Sequence, residues 1–320
     1  MSLPALLEQR LRLPVVAAPM FLVSNPQLVL ACCRSGIVGS FPALNQRESS
    51  GFKAWLEEIE AGLDAQSAPY AVNLIVHGTN PRLQADLAIC VEKRVPIVIT
   101  SLGAVKEVVD AVHSYGGLVF HDVTTRRHAE KAVQAGVDGL IAVAAGAGGH
   151  AGTWSPFALI AEIRQFFDKT LLLAGCLNHG HEILAAQLLG ADLAYLGTRF
   201  IATQQSDAAQ AYKQMIVHAQ AADIVHTPAV SGVPASFMRQ SLEQAGYDLK
   251  QLQNKGEVNY GEKLKPISDE AKAWKTVWSA GQGVGEITDL PTVEELVARL
   301  DREYQAAISR AQQLQRHRSR

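Results

Sequence analysis

The sequence predicts an α/β protein folded as a closed (β/α)8 barrel of the TIM type. Eight short apolar segments alternate with helical segments between Leu13 and Leu196. Each segment is apolar throughout rather than at every second position, which is typical of parallel strands buried on both faces. A doubly wound open sheet is the alternative. The first strand-to-helix turn, however, lacks a G-x-G-x-x-G sequence, and the glycines suited to phosphate binding lie late in the chain.

The predicted elements alternate regularly in the first two thirds of the chain. Strands are expected at 13–20, 36–41, 70–74, 96–100, 117–121, 139–142, 171–174 and 194–196. Helices are expected at 26–34, 49–63, 81–93, 105–114, 126–135 and from Pro156 onward. The helix at 49–63 is amphipathic, because Phe52, Leu56 and Ile59 fall on one face at helical spacing.

The regular alternation ends after Phe200. Helices are expected at 207–224, 235–245, 271–277 and 292–314, and the segment 250–266 is irregular and polar. We therefore expect residues 206–270 to form a small, mainly helical insertion over the C-terminal face of the barrel. Residues 1–205 and 271–320 would form the barrel itself.

The composition excludes several classes of function. The chain has 320 residues, of which 48% are hydrophobic and 19% charged, with a net charge of -2. A near-neutral globular chain lacks the excess of positive charge that is typical of nucleic-acid-binding proteins. No uninterrupted apolar run reaches the ~18 residues of a membrane span, and no secretory signal pattern is visible.

The four cysteines, Cys32, Cys33, Cys90 and Cys176, contain no C-x-x-C pair. Neither a zinc site nor a disulfide framework is predicted from this spacing. We expect free thiols, as in a protein of the reducing cytoplasm.

Few charged residues end the predicted strands, where the active site of a parallel barrel lies. No lysine is found there, and Asp122 is the only carboxylate. This pattern argues against Schiff-base chemistry, a metal site and paired-acid hydrolysis. What remains is backbone, small residues, His121 and His150, a set typical of a site in which a cofactor supplies the chemistry. We expect His121 to be a satisfied interior histidine.

The glycine-rich segment 143–152, VAAGAGGHAG, carries the main functional signal. Its glycines allow the backbone to approach a ligand closely. His150 follows Gly148 and Gly149 at the end of a predicted strand. A histidine with an ordinary pKa near ~6.5 can accept a carbon-bound proton and return it near neutral pH.

Two later segments, Gly175-Cys176 and Gly197-Thr198, end the seventh and eighth predicted strands. Phosphate is commonly bound at this place in such barrels by loop amides and a helix N-terminus. The two segments therefore predict a phosphate cradle. The alternative is that these glycines serve only to pack helices.

Six segments occur in the order found in one known family: AAPM at 17–20, VNL at 72–74, AGGH at 147–150, LGTRF at 196–200, SGVPA at 231–235 and WSAG at 278–281. Together they resemble the nitronate monooxygenase family, formerly called 2-nitropropane dioxygenases. These proteins are FMN-dependent TIM barrels, and the group includes NADH:quinone reductases and FMN-dependent enoyl-acyl carrier protein reductases.

The resemblance implies that FMN lies across the barrel mouth and that His150 is the catalytic group near flavin N5. Asp122 would anchor a ribityl hydroxyl, unless it caps the following helix. The cofactor-binding residues implied by the resemblance are Ala18, Pro19, Met20 and Asn73 for the ring, Gly148 and Gly149 for its face, Gly175, Cys176, Gly197 and Thr198 for the phosphate, and Asp122 and Ser279.

Three positions depart from the family pattern. Relatives often carry Gln or Glu where this chain has the small residues 143–146. Cys176 replaces the second glycine of the phosphate loop and adds a Cβ there. Val233 stands where the family has arginine. These departures bear on the substrate rather than on FMN binding.

The resemblance implies oxidation of an alkyl nitronate by dioxygen to a carbonyl compound and nitrite. The alternatives are an NAD(P)H-dependent reductase of quinones or enoyl thioesters, a flavin-free phosphate-binding isomerase or lyase, and a non-enzymatic binding module. The sequence leaves the oligomeric state open, a homodimer included.

Overall fold

The computed structural model describes residues 3–103, 105–230, 232–249, 252 and 277–318. The helix predicted at 271–277 lies outside the described residues except for Val277. Most of the irregular segment 250–266, and Ser231 of the SGVPA segment, also lie outside them.

The secondary structure alternates as the sequence predicts. The strands are β1 Val15–Ala17, β2 Gly39–Pro42, β3 Tyr70–Ile75, β4 Ile97–Ser101, β5 Leu118–Val123, β6 Gly139–Val143, β7 Gly149–His150, β8 Thr170–Ala174, β9 Leu193–Leu196, β10 Ile224–Thr227 and β11 Ala235–Met238. The helices are α1 Ala5–Glu8, α2 Pro26–Arg34, α3 Ser49–Gly62, α4 Leu83–Glu92, α5 Lys106–His113, α6 Arg126–Ala135, α7 Pro156–Arg164, α8 Gly180–Leu189, α9 Thr198–Ile201, α10 Gln210–His218, α11 Arg239–Gln244 and α12 Val293–Arg318. Short 3-10 helices span Ala43–Asn45, Ala221–Asp223 and Gln282–Glu286.

Eight parallel strands form the barrel in the order β1-β9-β8-β6-β5-β4-β3-β2. A parallel bridge between Val16 and Val38 joins the two ends of this sheet. β8 and β9 are therefore the seventh and eighth barrel strands. The predicted (β/α)8 barrel is confirmed.

The continuous hydrophobicity of the strands has a direct structural cause. Ile141 and Leu172 pack in the cluster that fills the barrel interior. Their neighbours Leu140 and Leu171 pack in the cluster between the sheet and the surrounding helices. All four are completely buried. Both faces of each strand are thus withdrawn from water, as expected for parallel strands.

The structure corrects the helix predicted at 235–245. Residues Ala235–Met238 form strand β11, and only Arg239–Gln244 are helical. β11 pairs antiparallel with β10 and with β7, the short strand of the glycine-rich segment. The helix predicted at 207–224 also divides, into α10, a 3-10 turn and the start of β10. The pairing of β7 with β11 joins distant parts of the chain, so local sequence patterns do not show it.

The mainly helical insertion expected at 206–270 extends beyond the described residues and stays a prediction. Its described part combines α10 and α11 with β10 and β11. The last helix is close to its predicted bounds, since α12 spans Val293–Arg318. In the described ranges, none of the helices is both long and apolar enough to cross a bilayer.

Candidate active site

A cavity of about 910 Å³ opens at the carboxyl ends of the barrel strands. It is lined by every residue that the sequence assigns to the site: Ala18, Pro19, Met20, Asn73, Asp122, Gly148, Gly149, His150, Gly175, Cys176, Gly197, Thr198 and Ser279. The barrel brings these residues together because the carboxyl ends of all its parallel strands face the same side. Their individual roles toward a ligand stay predictions.

His150 is held by the small antiparallel sheet. Its backbone is in register with Ala235 of β11, and Gly149 is in register with Ser236. The amide of Ala151 also donates to the carbonyl of Pro234, at 3.4 Å. The imidazole therefore projects from a paired strand at the cavity wall, rather than from a loose loop.

The glycines of this segment have two different tasks. A Cβ at Gly148 would lie 2.8 Å from the amide nitrogen of Gly281, so Gly148 is required by close backbone packing. Gly149 has a φ of +64°, and a Cβ there would meet no atom within 4 Å. Gly149 thus needs glycine for its left-handed backbone and leaves open space on the cavity side.

Gly281→Ala tests this packing from the opposite side. A Cβ at Gly281 would lie 2.6 Å from the carbonyl oxygen of Gly146 and 3.1 Å from the amide nitrogen of Gly148. We expect the change to lower the free energy of unfolding by about 1–3 kcal/mol, as for other overpacked sites. Chemical denaturation measures this loss. Gly78→Ala is the matched control, because a Cβ there meets nothing within 4 Å; an equal loss in both variants would contradict the packing.

The phosphate cradle predicted after the seventh and eighth barrel strands has an unusual backbone. Gly175 has a φ of +133° and Cys176 a φ of +52°, a left-handed conformation that costs a non-glycine residue energy. The hydroxyl oxygen of Thr198 accepts from the amide of Gly281, at 2.9 Å. Its hydroxyl hydrogen therefore stays available to donate to a ligand.

Cys176 does not have the surroundings of a reactive thiol. Its sulfur lies 3.7 Å from the carbonyl oxygen of Gly146. Although Cys176 is exposed at the cavity, partial desolvation of the thiol raises its pKa above the ordinary value, which disfavours the thiolate. We interpret Cys176 as part of the loop backbone rather than as a redox group.

A chain of hydrogen bonds crosses the tips of β3, β4 and β5. The amide of Asn73 donates to the hydroxyl of Ser101 at 2.7 Å, and Ser101 donates to Oδ2 of Asp122 at 2.5 Å. Burial raises the pKa of Asp122 to about 6, against the opposing hydrogen bond from Ser101. The sequence does not identify Ser101 as a site residue, because the predicted strand 96–100 ends one residue before it.

Two buried oxygens in the cavity lack partners among the described residues. They are Oδ1 of Asp122 and Oγ of Ser279. Buried polar atoms are normally hydrogen-bonded, so each calls for a polar group of a ligand or solvent. Asp122 does not cap helix α6, since the side chain of Thr125 accepts from the amide of His128 at 3.2 Å and takes that role. The capping alternative is therefore wrong.

His121 is a buried histidine with a hydrogen-bond partner, as the sequence predicts, although it also lines the cavity. Its Nδ1 is 2.7 Å from the hydroxyl of Thr100, and the side chain is buried. Burial, with a smaller contribution from His128, lowers the pKa of His121 to about 4. The ring is therefore neutral at physiological pH.

Trp278 fixes the segment that carries Ser279. Its indole stacks on the ring of Tyr212 with centroids 5.0 Å apart, and the hydroxyl of Tyr212 donates to the carbonyl of Ser279. The amide of Trp278 donates to the hydroxyl of Ser241 at 2.7 Å. These contacts hold Ser279 at the cavity wall.

Comparison with known proteins agrees with this geometry. The sequence profile described as nitronate monooxygenase matches residues 5–303. A nitronate monooxygenase of Paraburkholderia phytofirmans is 26% identical over 94% of both chains. Among solved structures, FabK from Thermotoga maritima has a TM-score of 0.80 and 24% identity over 97% of both chains. Nitroalkane oxidase from Streptomyces ansochromogenes has the same TM-score and identity over 96% of this chain and 100% of its own. The two solved structures share the barrel, and the profile match shows that this chain belongs to the nitronate monooxygenase family of FMN-dependent oxidoreductases.

Proposed function

We propose that the cavity binds FMN and that the enzyme oxidises alkyl nitronates with dioxygen, giving a carbonyl compound and nitrite. The observation that carries the proposal is the convergence of three features on one cavity. These are His150, the left-handed loop at Gly175 and Cys176, and the unpartnered oxygens of Asp122 and Ser279.

The residues present fit a flavin nucleotide. Oδ1 of Asp122 and Oγ of Ser279 offer two buried hydrogen-bonding atoms to a ligand rich in polar groups. At Gly197 a Cβ would meet only the Cβ of Ala18 within 4 Å, at 3.7 Å. The space beside this glycine is therefore open, as a phosphate-binding position requires.

The proposal assigns each part of the cavity a role. The backbone of Gly175, Cys176 and Gly197 and the hydroxyl of Thr198 would hold the phosphate. Asn73 and Asp122 would bind polar groups of the ring system and ribityl chain. When bound, FMN supplies the electron transfer between the nitronate and dioxygen.

The chain itself would contribute little beyond positioning and one proton acceptor. His150 would accept the α-proton of a neutral nitroalkane, or orient the anionic nitronate when that form is supplied. Pairing of its backbone with β11 fixes the direction from which the imidazole approaches. Burial lowers the pKa of His121 to about 4 and its Nδ1 is hydrogen-bonded to Thr100, so it would be a much weaker acceptor for this proton.

The size of the cavity supports a second candidate, an NAD(P)H-dependent reductase of quinones or enoyl thioesters. The cavity extends past His150 to Thr124, His128 and Lys131 beside helix α6. A small nitronate lying next to FMN does not require this space. A longer reductant or substrate would use it.

Anaerobic mixing of the purified flavoprotein with a nitronate, and separately with NADH, distinguishes the two candidates. We expect the nitronate to bleach the flavin absorbance faster than NADH does. Rapid bleaching by NADH and none by the nitronate would instead identify the reductase. A colourless protein that stays colourless after incubation with FMN would contradict both.

A further inference from the structure

We propose that Thr124, His128 and Lys131, here called the α6 rim, bind a phosphate group of a second ligand. This group is common to nicotinamide dinucleotides and coenzyme A thioesters. The inference rests on the part of the proposed function that places FMN in the cavity. It adds a second nucleotide-bearing ligand that reaches the same site.

The α6 rim is built by the start of helix α6. Ala129 and Ala132 are fully buried and fix the inner face of this helix. His128 and Lys131, three residues apart, lie on one face and both line the cavity. Nδ1 of His128 is 3.1 Å from the hydroxyl of Thr124. A hydroxyl, an imidazole and an ammonium group are thus grouped at one edge of the cavity.

The positive charge of the α6 rim is not neutralised by any ion pair among the residues that the structure describes. Lys131 is the single lysine or arginine among the described residues that line the cavity. Within the described part of the chain, no carboxylate forms an ion pair with it. After burial, the charges of Lys131 and Arg127 lower the pKa of His128, as expected where positive charges repel one another.

Arg126, on the same helix, shows the contrasting arrangement. Its guanidinium donates to Glu130 and to Gln165, and it lies 5.1 Å from the centre of the Phe166 ring. The guanidinium of Arg126 is therefore fully engaged by its own helix and by the residues at the end of α7. Lys131, the cation of this helix that lines the cavity, has no ion pair with a described carboxylate.

The α6 rim is separate from the cradle proposed for the FMN phosphate. α6 follows β5, whereas the cradle follows β8 and β9. In the barrel order, β6 stands between β5 and β8, and β6 and β8 stand between β5 and β9. The FMN phosphate, bound at the cradle, would thus lie two to three strands away from the strand that leads into α6. The cation is left for another anionic group.

The α6 rim is in contact with the segment that carries His150. A Cβ at Gly152 would lie 3.0 Å from Cβ of Thr124 and 3.1 Å from its carbonyl oxygen. A ligand anchored at the α6 rim would therefore extend along this segment toward the imidazole. A flexible ammonium with three donors is a common partner of phosphate.

Binding of three probes to the FMN-loaded enzyme tests the proposal: NADH, NADPH and coenzyme A, each followed by calorimetry. We expect at least one probe to bind the unchanged protein, with Kd raised about tenfold in K131M. The Kd should recover in K131R and stay unchanged in K106M. Lys106 is a matched control because it is exposed, lies on the neighbouring helix α5 and pairs with Asp110.

Salt adds a second readout to the same titrations. Binding to the unchanged protein should weaken more steeply with ionic strength than binding to K131M, because one screened charge has been removed. Binding of coenzyme A alone would identify a thioester as the source of the phosphate. Binding of NADH or NADPH alone would identify a nicotinamide dinucleotide.

Three results would overturn the α6 rim as a phosphate site: no probe binds the FMN-loaded protein, K131M and K106M weaken binding equally, or K131R binds as weakly as K131M. The proposed function has its own test in flavin content and nitronate oxidation by the unchanged protein. A flavoprotein that oxidises nitronates but is indifferent to Lys131 would reject only the further inference.

Discussion

Replacing His150 by asparagine is expected to lower the turnover of a neutral nitroalkane by about 10²- to 10⁴-fold, the usual contribution of a positioned general base. The asparagine side chain cannot accept a proton near neutral pH. The backbone of this residue is held by pairing with β11, so the position itself should be kept. FMN content, measured by absorbance after gel filtration, should stay unchanged.

Comparing two substrates separates the possible tasks of His150. If the imidazole acts as the base, the variant should lose far more activity with a neutral nitroalkane than with its preformed nitronate. Equal losses would leave it only the task of orienting the anion. His218→Asn is the control, because His218 is exposed on α10 and its Nδ1 contacts the carbonyl oxygen of Gln214. Unchanged turnover of the nitroalkane in the His150 variant would remove the base role.

Replacing Asp122 by asparagine should stabilise the flavin-free protein at neutral pH and leave it almost unchanged in acid. Burial raises the pKa of Asp122 from its ordinary 3.8 to about 6, so the folded chain holds this proton more tightly than the unfolded chain does. The contribution of the protonated group is present below about pH 4 and is lost as the pH rises through about 6. The loss amounts to at most about 3 kcal/mol.

The measurement is the free energy of unfolding of the flavin-free protein at about pH 4 and about pH 7. The unchanged protein should lose stability relative to the Asp122 variant between these values. Asp110→Asn serves as control, because Asp110 is exposed and pairs with Lys106 at the surface. Parallel pH profiles of the Asp122 variant and the unchanged protein would show that this carboxyl does not titrate as inferred.

Much of the barrel could be predicted because its strands are recognisable one at a time. Leu171, Leu172 and Leu173 are apolar in succession since one side of β8 faces the barrel interior and the other faces the helices. Because both faces are buried, every barrel strand has an almost uninterrupted apolar sequence. The carboxyl ends of the strands then define the site, which is why Asn73 and Asp122 were found from their position alone.

The small antiparallel sheet could not be predicted in the same way. β7 has two residues, and the residues of β11 directly precede a helix, so neither has a periodic pattern of its own. They are strands because Gly149 and His150 meet Ala235 and Ser236, distant in sequence. The sequence predicts His150 as the proton acceptor, but the direction of its side chain depends on this pairing.

In the site, too, some features follow from the sequence and others are seen only in the tertiary structure. Ser101 links Asn73 to Asp122, and Lys131 reaches the cavity from a helix, although neither belongs to a recognisable motif. The amino-acid sequence alone determined the barrel and the glycines that line the cavity, because burial and backbone freedom are encoded locally, and it singled out His150 as the proposed proton acceptor. Only the tertiary structure decided which polar atoms are paired, which are left for a ligand and where an unpaired cation lies. Hydrogen bonds and ion pairs depend on distances between residues that are far apart in the chain.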